Sequence, residues 1–247
     1  MTVYSSFSDE FYVNVQLSTE MDLPSERETV LFFFEQLRRK FPSMKNFYNR
    51  ERNEYVLEED KEGGHYRWAT VEPRRVYSAF VNPPSVDDAF QQSSFIMDLV
   101  PHALSVTPLD CESLSFIFGF DFNYRGNHNA LIADALGHYP VFEKLVDIPG
   151  TQLMSNEPSI IFALDELCQT RCRISVESRT TPYQLRTGDY AEDQLSVFVV
   201  VRHCGSMPDD QSYTTVLESL RKHCQNIVDG YVIDNILVPL QQHIAIK

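Results

Sequence analysis

The sequence predicts an α+β protein made of two antiparallel-sheet halves, each ordered strand, helix, strands, helix. Three observations carry that expectation. An alternation of apolar and polar residues opens each half, at Phe11–Ser18 and again at Leu114–Phe122. A helix with an apolar stripe follows each run. Further strand-like segments then succeed one another with few helices between them, which favours antiparallel pairing over a parallel, doubly wound sheet.

In the first half, "FYVNVQLS" sets Phe11, Val13, Val15 and Leu17 against Tyr12, Asn14, Gln16 and Ser18, the period of a strand with one buried face. Ser25 and Glu28 have the spacing of a capping box, and Val30, Phe33, Phe34, Leu37 and Phe41 keep helical spacing up to Pro42. From Asn46 to Asn82 the chain reads as strands and hairpins, with a turn at "KEGG". Ser85 is placed to cap a second helix, whose Val86, Ala89, Phe90, Ser93, Met97 and Val100 share a face before Pro101.

The second half opens on Leu114, Phe116, Phe118, Phe120 and Phe122, with Ser115, Ile117, Gly119, Asp121 and Asn123 facing the other way. A short helix carrying Leu131, Ile132, Ala135 and Leu136 ends at Gly137. Strands are expected through "VFEKLVDI", "SIIFALD", "RCRISVES", "PYQLRT" and "LSVFVVVRH". The closing helix repeats Tyr213, Val216, Leu217, Leu220, Cys224, Ile227, Val228 and Tyr231 at threes and fours, and continues past Gly230 until Pro239 limits it. The segment Ser105–Glu112 divides an N-terminal α+β domain, 1–104, from a C-terminal one, 105–247, with a shared interface expected. The matching layouts make a duplicated architecture the expectation, although no residue-level repeat accompanies them.

Composition narrows the function classes. In 247 residues, 43% hydrophobic content is ample for a core, and a net charge of −14 repels phosphate backbones and anionic lipid. No nucleic acid and no membrane surface is therefore expected as a partner. Between Arg38 and Arg75 the balance reverses, with 10 of the 21 Lys/Arg against 7 of the 35 Asp/Glu, as in a solvated hairpin region or a docking face. Five unpaired-looking cysteines and no signal-peptide pattern at the start point to a cytoplasmic protein. The longest apolar strings, "LFFF" and "VFVVV", fall far short of the roughly 18 residues of a membrane span.

The best candidate site lies where the Phe-rich strand turns into a helix, at Arg125-Gly126-Asn127-His128-Asn129. Capping by Asn127 or Asn129, with Gly126 supplying backbone freedom, accounts for most of that stretch. A functional reading adds Arg125 and His128 beside the free amides of a helix N-terminus, an arrangement suited to a carboxylate or phosphate, with Asp121 orienting either cation. Asp121, Arg125 and His128 are therefore the ligand-binding candidates, and no catalytic residue is assigned. Trp68 reads as a half-buried aromatic of a sheet.

No metal and no cofactor is expected. His203-Cys204 and His223-Cys224 cannot each aim both members at one ion, because neighbours diverge by about 180° on a strand and about 100° on a helix. Cys172 alternates with Ile174 and Val176, so it reads as a packed thiol rather than a partner of Cys168. The acidic stretches "EEDKE" and "DYAED" read as solvated hairpin tips without a calcium register. No Walker loop, dinucleotide fingerprint, nucleophile elbow or HExxH occurs.

The "FYVNVQLS" strand before a helix ending "LRRKFP", the "YRW" strand, "FGFDFN" ending in Asn123, and "VFVVVRHC" before the last helix together resemble a sporadically distributed family of uncharacterised bacterial proteins of similar length. That family's usual "NPP" before strand one is absent; here "VNPPS" precedes the second helix. The resemblance implies no catalytic residue. The expectation is thus a non-catalytic binding or interaction protein, with a protein or small-molecule partner and a homodimer formed through a sheet edge or the C-terminal helix. Two alternatives stand beside it. Residues 113–247 resemble the helix-grip layout of small-ligand carriers, which places an apolar cavity against Phe116, Phe118, Phe120 and the Tyr213–Tyr231 helix face. The other is an enzyme acting on an anionic substrate near Arg125 and His128.

Overall fold

A computed structural model of the chain describes residues 2–50, 53–137, 144, 148–151, 153–208 and 211–246. Nine strands form one antiparallel sheet: β1 (Glu10–Thr19), β2 (Asn46–Arg50), β3 (Glu54–Glu58), β4 (Tyr66–Glu72), β5 (Arg75–Val81), β6 (Cys111–Arg125), β7 (Ser159–Ala163), β8 (Thr170–Glu177) and β9 (Glu192–Cys204). Their order is β2-β3-β4-β5-β1-β6-β9-β8-β7. The long β1–β6 ladder, running from Glu10 opposite Asp121 to Thr19 opposite Cys111, therefore joins the two halves inside a single sheet.

Six α-helices are described: α1 (Arg27–Lys40), α2 (Val86–Ala103), α3 (His128–Leu136), α4 (Pro182–Thr187), α5 (Tyr213–Ile227) and α6 (Val238–Ile246). The longer ones pack on the phenylalanine face. Phe34 of α1 meets Phe47 at 5.3 Å, Ser93 of α2 bonds Ser78 at 3.1 Å, and the α5 thiol of Cys224 donates to the Val199 carbonyl. Beneath them Phe11, Phe116, Phe118 and Phe120 are fully buried, and Tyr4 of an N-terminal 3-10 turn inserts its ring among Phe11, Phe118 and Phe120. The opposite face carries Tyr12, Trp68, Tyr77, Ile117, Asp121 and Phe198, which strand alternation turns away from that core. Among the described residues no helix is long and apolar enough to cross a membrane.

Several local expectations are corrected. Helix α1 starts one residue late for Ser25: Glu26 holds the extended N-cap backbone and no side chain caps it, so the capping box does not form. Helix α2 runs through Pro101 to Ala103, because the lost amide falls in the last turn and Leu104 N–H still closes on Val100 O at 2.9 Å. "PYQLRT" is helix α4 rather than a strand. Pro182 at its first turn, the Thr181–Gln184 capping box and left-handed Gly188 at φ 70° outweigh its short apolar alternation. Glu59 is not a solvated tip residue; it is buried, paired with Arg67 at 3.1 Å and bonded by the Arg67 N–H at 2.8 Å. The strand expected over 141–148 falls largely outside the described residues.

The closing helix also departs from expectation. After α5 it rewinds into a π-helix over Val228–Leu237 and returns to α winding at Val238. Pro239 does not end it, since it is the second residue of α6, where a missing amide interrupts least. In the π segment, bonds run from residue i to i+5, so residues four and five apart stand side by side. Tyr231, Asn235 and Ile236 consequently share a wall.

Candidate functional site

The strand-to-helix junction is built as scaffold. Asn127 Oδ1 accepts from Asn129 N at 3.0 Å and from Ala130 N at 3.2 Å, capping α3. His128 is only 2% exposed. Its backbone N–H donates to Thr180 Oγ1, its Nδ1 accepts from Arg179 N at 3.3 Å, and its Nε2 lies 3.3 Å from Tyr124 O. An acceptor at Nδ1 places the proton on Nε2, which makes the ring neutral. Burial agrees, pushing the imidazole below its ordinary value. Gly126 has no positive φ; what demands glycine is the Tyr124 ring, which a Cβ would overlap.

Arg125 points elsewhere, its Nε donating to Tyr190 O at 3.1 Å. Asp121, 6% exposed, lies on the face opposite the phenylalanines, with the Tyr12 hydroxyl 3.5 Å from its Oδ1. No hydrogen bond or ion pair links Asp121, Arg125 and His128 to one another. Asp121 and His128, but not Arg125, have Arg179 as a common neighbour, and its charge acts on both. Nothing local in the sequence marks Arg179, because it enters from the loop after β8.

Burial raises the Asp121 carboxyl above its ordinary range, against the opposing pull of the Ser196 hydroxyl, the Arg179 charge and the Tyr12 hydroxyl. A carboxyl with a raised folded-state value binds its proton more tightly when folded, so stability falls as pH rises from the ordinary value through the raised one. Asp121→Asn is expected to flatten that decline and to raise the melting temperature at pH 7. Thermal melts from pH 3 to 8 check it, and a lower melting temperature at pH 7 would show the carboxylate to be stabilising.

The three buried thiols are poor nucleophile candidates. Burial pushes Cys111 and Cys172 up to about 12 and Cys224 well above the ordinary thiol value. Among the described residues no three His, Cys, Asp or Glu side chains are grouped to hold a metal ion.

Of the chamber expected against Phe116, Phe118, Phe120 and the Tyr213–Tyr231 helix face, the part at the phenylalanines and Tyr213 is packed solid, while Tyr231 does border an opening. Phe116, Phe118 and Phe120 have no exposed surface, and Tyr213 is buried with its hydroxyl bonded to Thr107 O. An open cleft of about 420 Å³ lies instead at the far end of that helix, between the β7–β8 hairpin, the end of α3 and the π segment. Its apolar wall comes from Leu136, Ile160, Ile174, Val176 and Ile236. Asn156, Tyr231 and Asn235 add polar atoms.

Two asparagines fix this arrangement. Asn129, buried in the first turn of α3, accepts from Asn156 N at 2.8 Å through Oδ1 and donates to Met154 O at 3.2 Å. Asn235 Nδ2 donates to Tyr231 O at 2.8 Å, bracing the π winding. Asn156 itself is 9% exposed, and its Nδ2 is buried without a partner. An amide donor left unpaired beside an apolar cleft costs about 1–3 kcal/mol, unless a ligand accepts from it. No protein-family model and no curated protein matches the chain.

Proposed function

We propose that the protein is a non-catalytic binding protein whose ligand is a small, mainly apolar molecule carrying one hydrogen-bond acceptor. The observation that carries the reading is Asn156, whose Nδ2 is buried without a partner among the described residues, in the lining of a mainly apolar cleft of ligand size. The ten-residue π segment supports it, since that winding is rare and recurs beside functional sites. Among the described residues no His, Cys, Asp, Glu, Lys or Arg side chain lines the cleft, which favours binding over catalysis.

We also propose that the chain is a duplicated architecture. In support, β1-α1-β2-β3-β4-β5-α2 and, among the described residues, β6-α3-β7-β8-α4-β9-α5 both run strand, helix, strands, long helix, with the last strand of each half beside its first and both first strands central; the second half has one strand fewer and adds α4. On that reading the second half specialised by extending its last helix through the π segment that borders the cleft.

Calorimetry and ligand-observed NMR with 2-octanone and n-octane test the ligand reading. Saturable binding of 2-octanone is expected, with n-octane at least about tenfold weaker, the worth of one hydrogen bond to a buried donor. Ile236→Trp should fill the cleft and abolish binding with the far-UV spectrum retained, and Asn156→Leu should erase the preference for the ketone. Ketone binding that survives Ile236→Trp, or no saturable binding at all, overturns the reading.

A further inference from the structure

The other face of β8 holds a second site, chemically opposite to the cleft. Strand alternation turns Ile174 and Val176 toward the cleft and Arg173, Ser175 and Glu177 away from it. There a pocket of about 270 Å³ is lined mainly by Glu157, Ser159, Arg173, Ser175, Glu177 and Arg179, and it shares Ser159 and Val176 with the rim of the cleft. Ser159 stands directly opposite Ser175 in the β7–β8 ladder, so the two serines share this face of the sheet. Ser175 is 4% exposed, and its Oγ is buried without a partner.

The charges around those hydroxyls are held apart. Among the described residues neither Arg173 nor Glu177 forms an ion pair within 4.0 Å, although the chain carries 35 acidic and 21 basic residues. Their Cα atoms are four strand residues apart, about 13 Å, with Ser175 midway. Of the other two charged residues, Glu157 accepts from Ser178 N at 3.0 Å, and Arg179 donates its backbone N–H to His128 Nδ1 at 3.3 Å. A plain anion over the hydroxyls would face Glu177, and a plain cation would face Arg173.

We propose that this pocket binds a small zwitterion, a free α-amino acid by chemical class, with its carboxylate toward Arg173, Ser175 and Ser159 and its ammonium toward Glu177. Such a ligand supplies the acceptor that the Ser175 hydroxyl lacks and completes both unpaired charges with one molecule.

Calorimetry with L-alanine, propionate and propylammonium is the test. L-alanine should bind saturably, with the other two at least about tenfold weaker. Arg173→Gln and Glu177→Gln, exposed-side substitutions that leave the core untouched, should each weaken L-alanine at least about tenfold. Ser175→Ala should weaken it by a smaller factor. Ile236→Trp, on the other side of the sheet, should leave L-alanine binding unchanged, so this site stands or falls independently of the ketone cleft. Propionate binding as well as L-alanine, indifference to Arg173→Gln and Glu177→Gln, or no saturable binding overturns the proposal.

Discussion

Phe118→Ala is expected to lose about 3–5 kcal/mol of stability and to lower the unfolding midpoint of the whole chain in one step. Phe118 has no exposed surface, and its ring centroid lies 5.2 Å from Tyr4, 5.2 Å from Phe11, 5.3 Å from Phe116 and 6.4 Å from Phe120. Truncation removes the transfer free energy of a phenyl ring and leaves a cavity that the four surrounding rings cannot close. The location adds a second expectation. This cluster straddles the β1–β6 ladder, through which the two halves share one sheet. Trp68, the single tryptophan, lies on β4 in the first half and reports unfolding there. Urea melts followed by Trp68 fluorescence and by far-UV dichroism should shift together. An unmoved fluorescence transition would mean that the first half unfolds without regard to β6. Phe198→Ala is the control: that ring is half-buried on the opposite face, with one edge contact to Tyr12 at 6.3 Å, and should cost distinctly less.

The central strands of the sheet were legible because each has one dry face, and burial imposes a period of two on the side chains. Leu114 to Phe122 could hardly have been read otherwise, and Asp121 was correctly turned away from the phenylalanines. Strand order was not legible. That β1 lies against β6 depends on which apolar surfaces meet after long excursions of chain, and alternation carries no record of partners. Short elements failed for a different reason. Six residues of "PYQLRT" fit either period, and the Thr-Pro-x-x-Gln start signal with its terminal glycine was the deciding information.

The candidate site was legible only in part, and the reason lies in loops. Asp121 sits on a strand, so its direction followed from its neighbours. Arg125 and His128 stand where regular alternation stops, and their directions are set by Tyr190, Tyr124 and the Arg179 amide, all supplied from elsewhere in the chain or by the bend itself. Asn156 gave no signal, because its unpaired amide becomes notable only once Asn129 has fixed the loop against α3. The π segment was hidden as well: its apolar residues continue the helical stripe, and the change of winding shows only in its backbone bonds.

Gly119→Ala, a single methyl, is expected to cost about 1–3 kcal/mol by overpacking. Gly119 stands between Tyr12 of β1 and Phe198 of β9 in the sheet register, and the Tyr12 ring lies across it, where a Cβ would overlap the ring carbons. Its backbone is ordinary strand without a positive φ, so steric contact is the whole of the effect. The ring has little room to yield, with Phe198 packed edge-on at 6.3 Å and the Asp121 carboxyl at 3.5 Å from the hydroxyl. A double-mutant cycle isolates the cause. In a Tyr12→Ala background Gly119→Ala should be neutral or stabilising, since alanine restricts the unfolded chain more than glycine does. The coupling energy should therefore exceed about 1 kcal/mol; an equal cost in both backgrounds would rule out the ring as the obstacle. The same displacement bears on Asp121. Moving the phenol removes the Tyr12 hydroxyl's lowering pull on Asp121 but also lets water reach the carboxyl; burial is the largest influence on it, so its relief outweighs the lost hydrogen bond, and Gly119→Ala should also reduce the loss of stability with rising pH, in the direction expected of Asp121→Asn. Parallel pH series on the two variants measure this directly, and an unchanged slope in Gly119→Ala would show that Tyr12 does not shield the carboxyl.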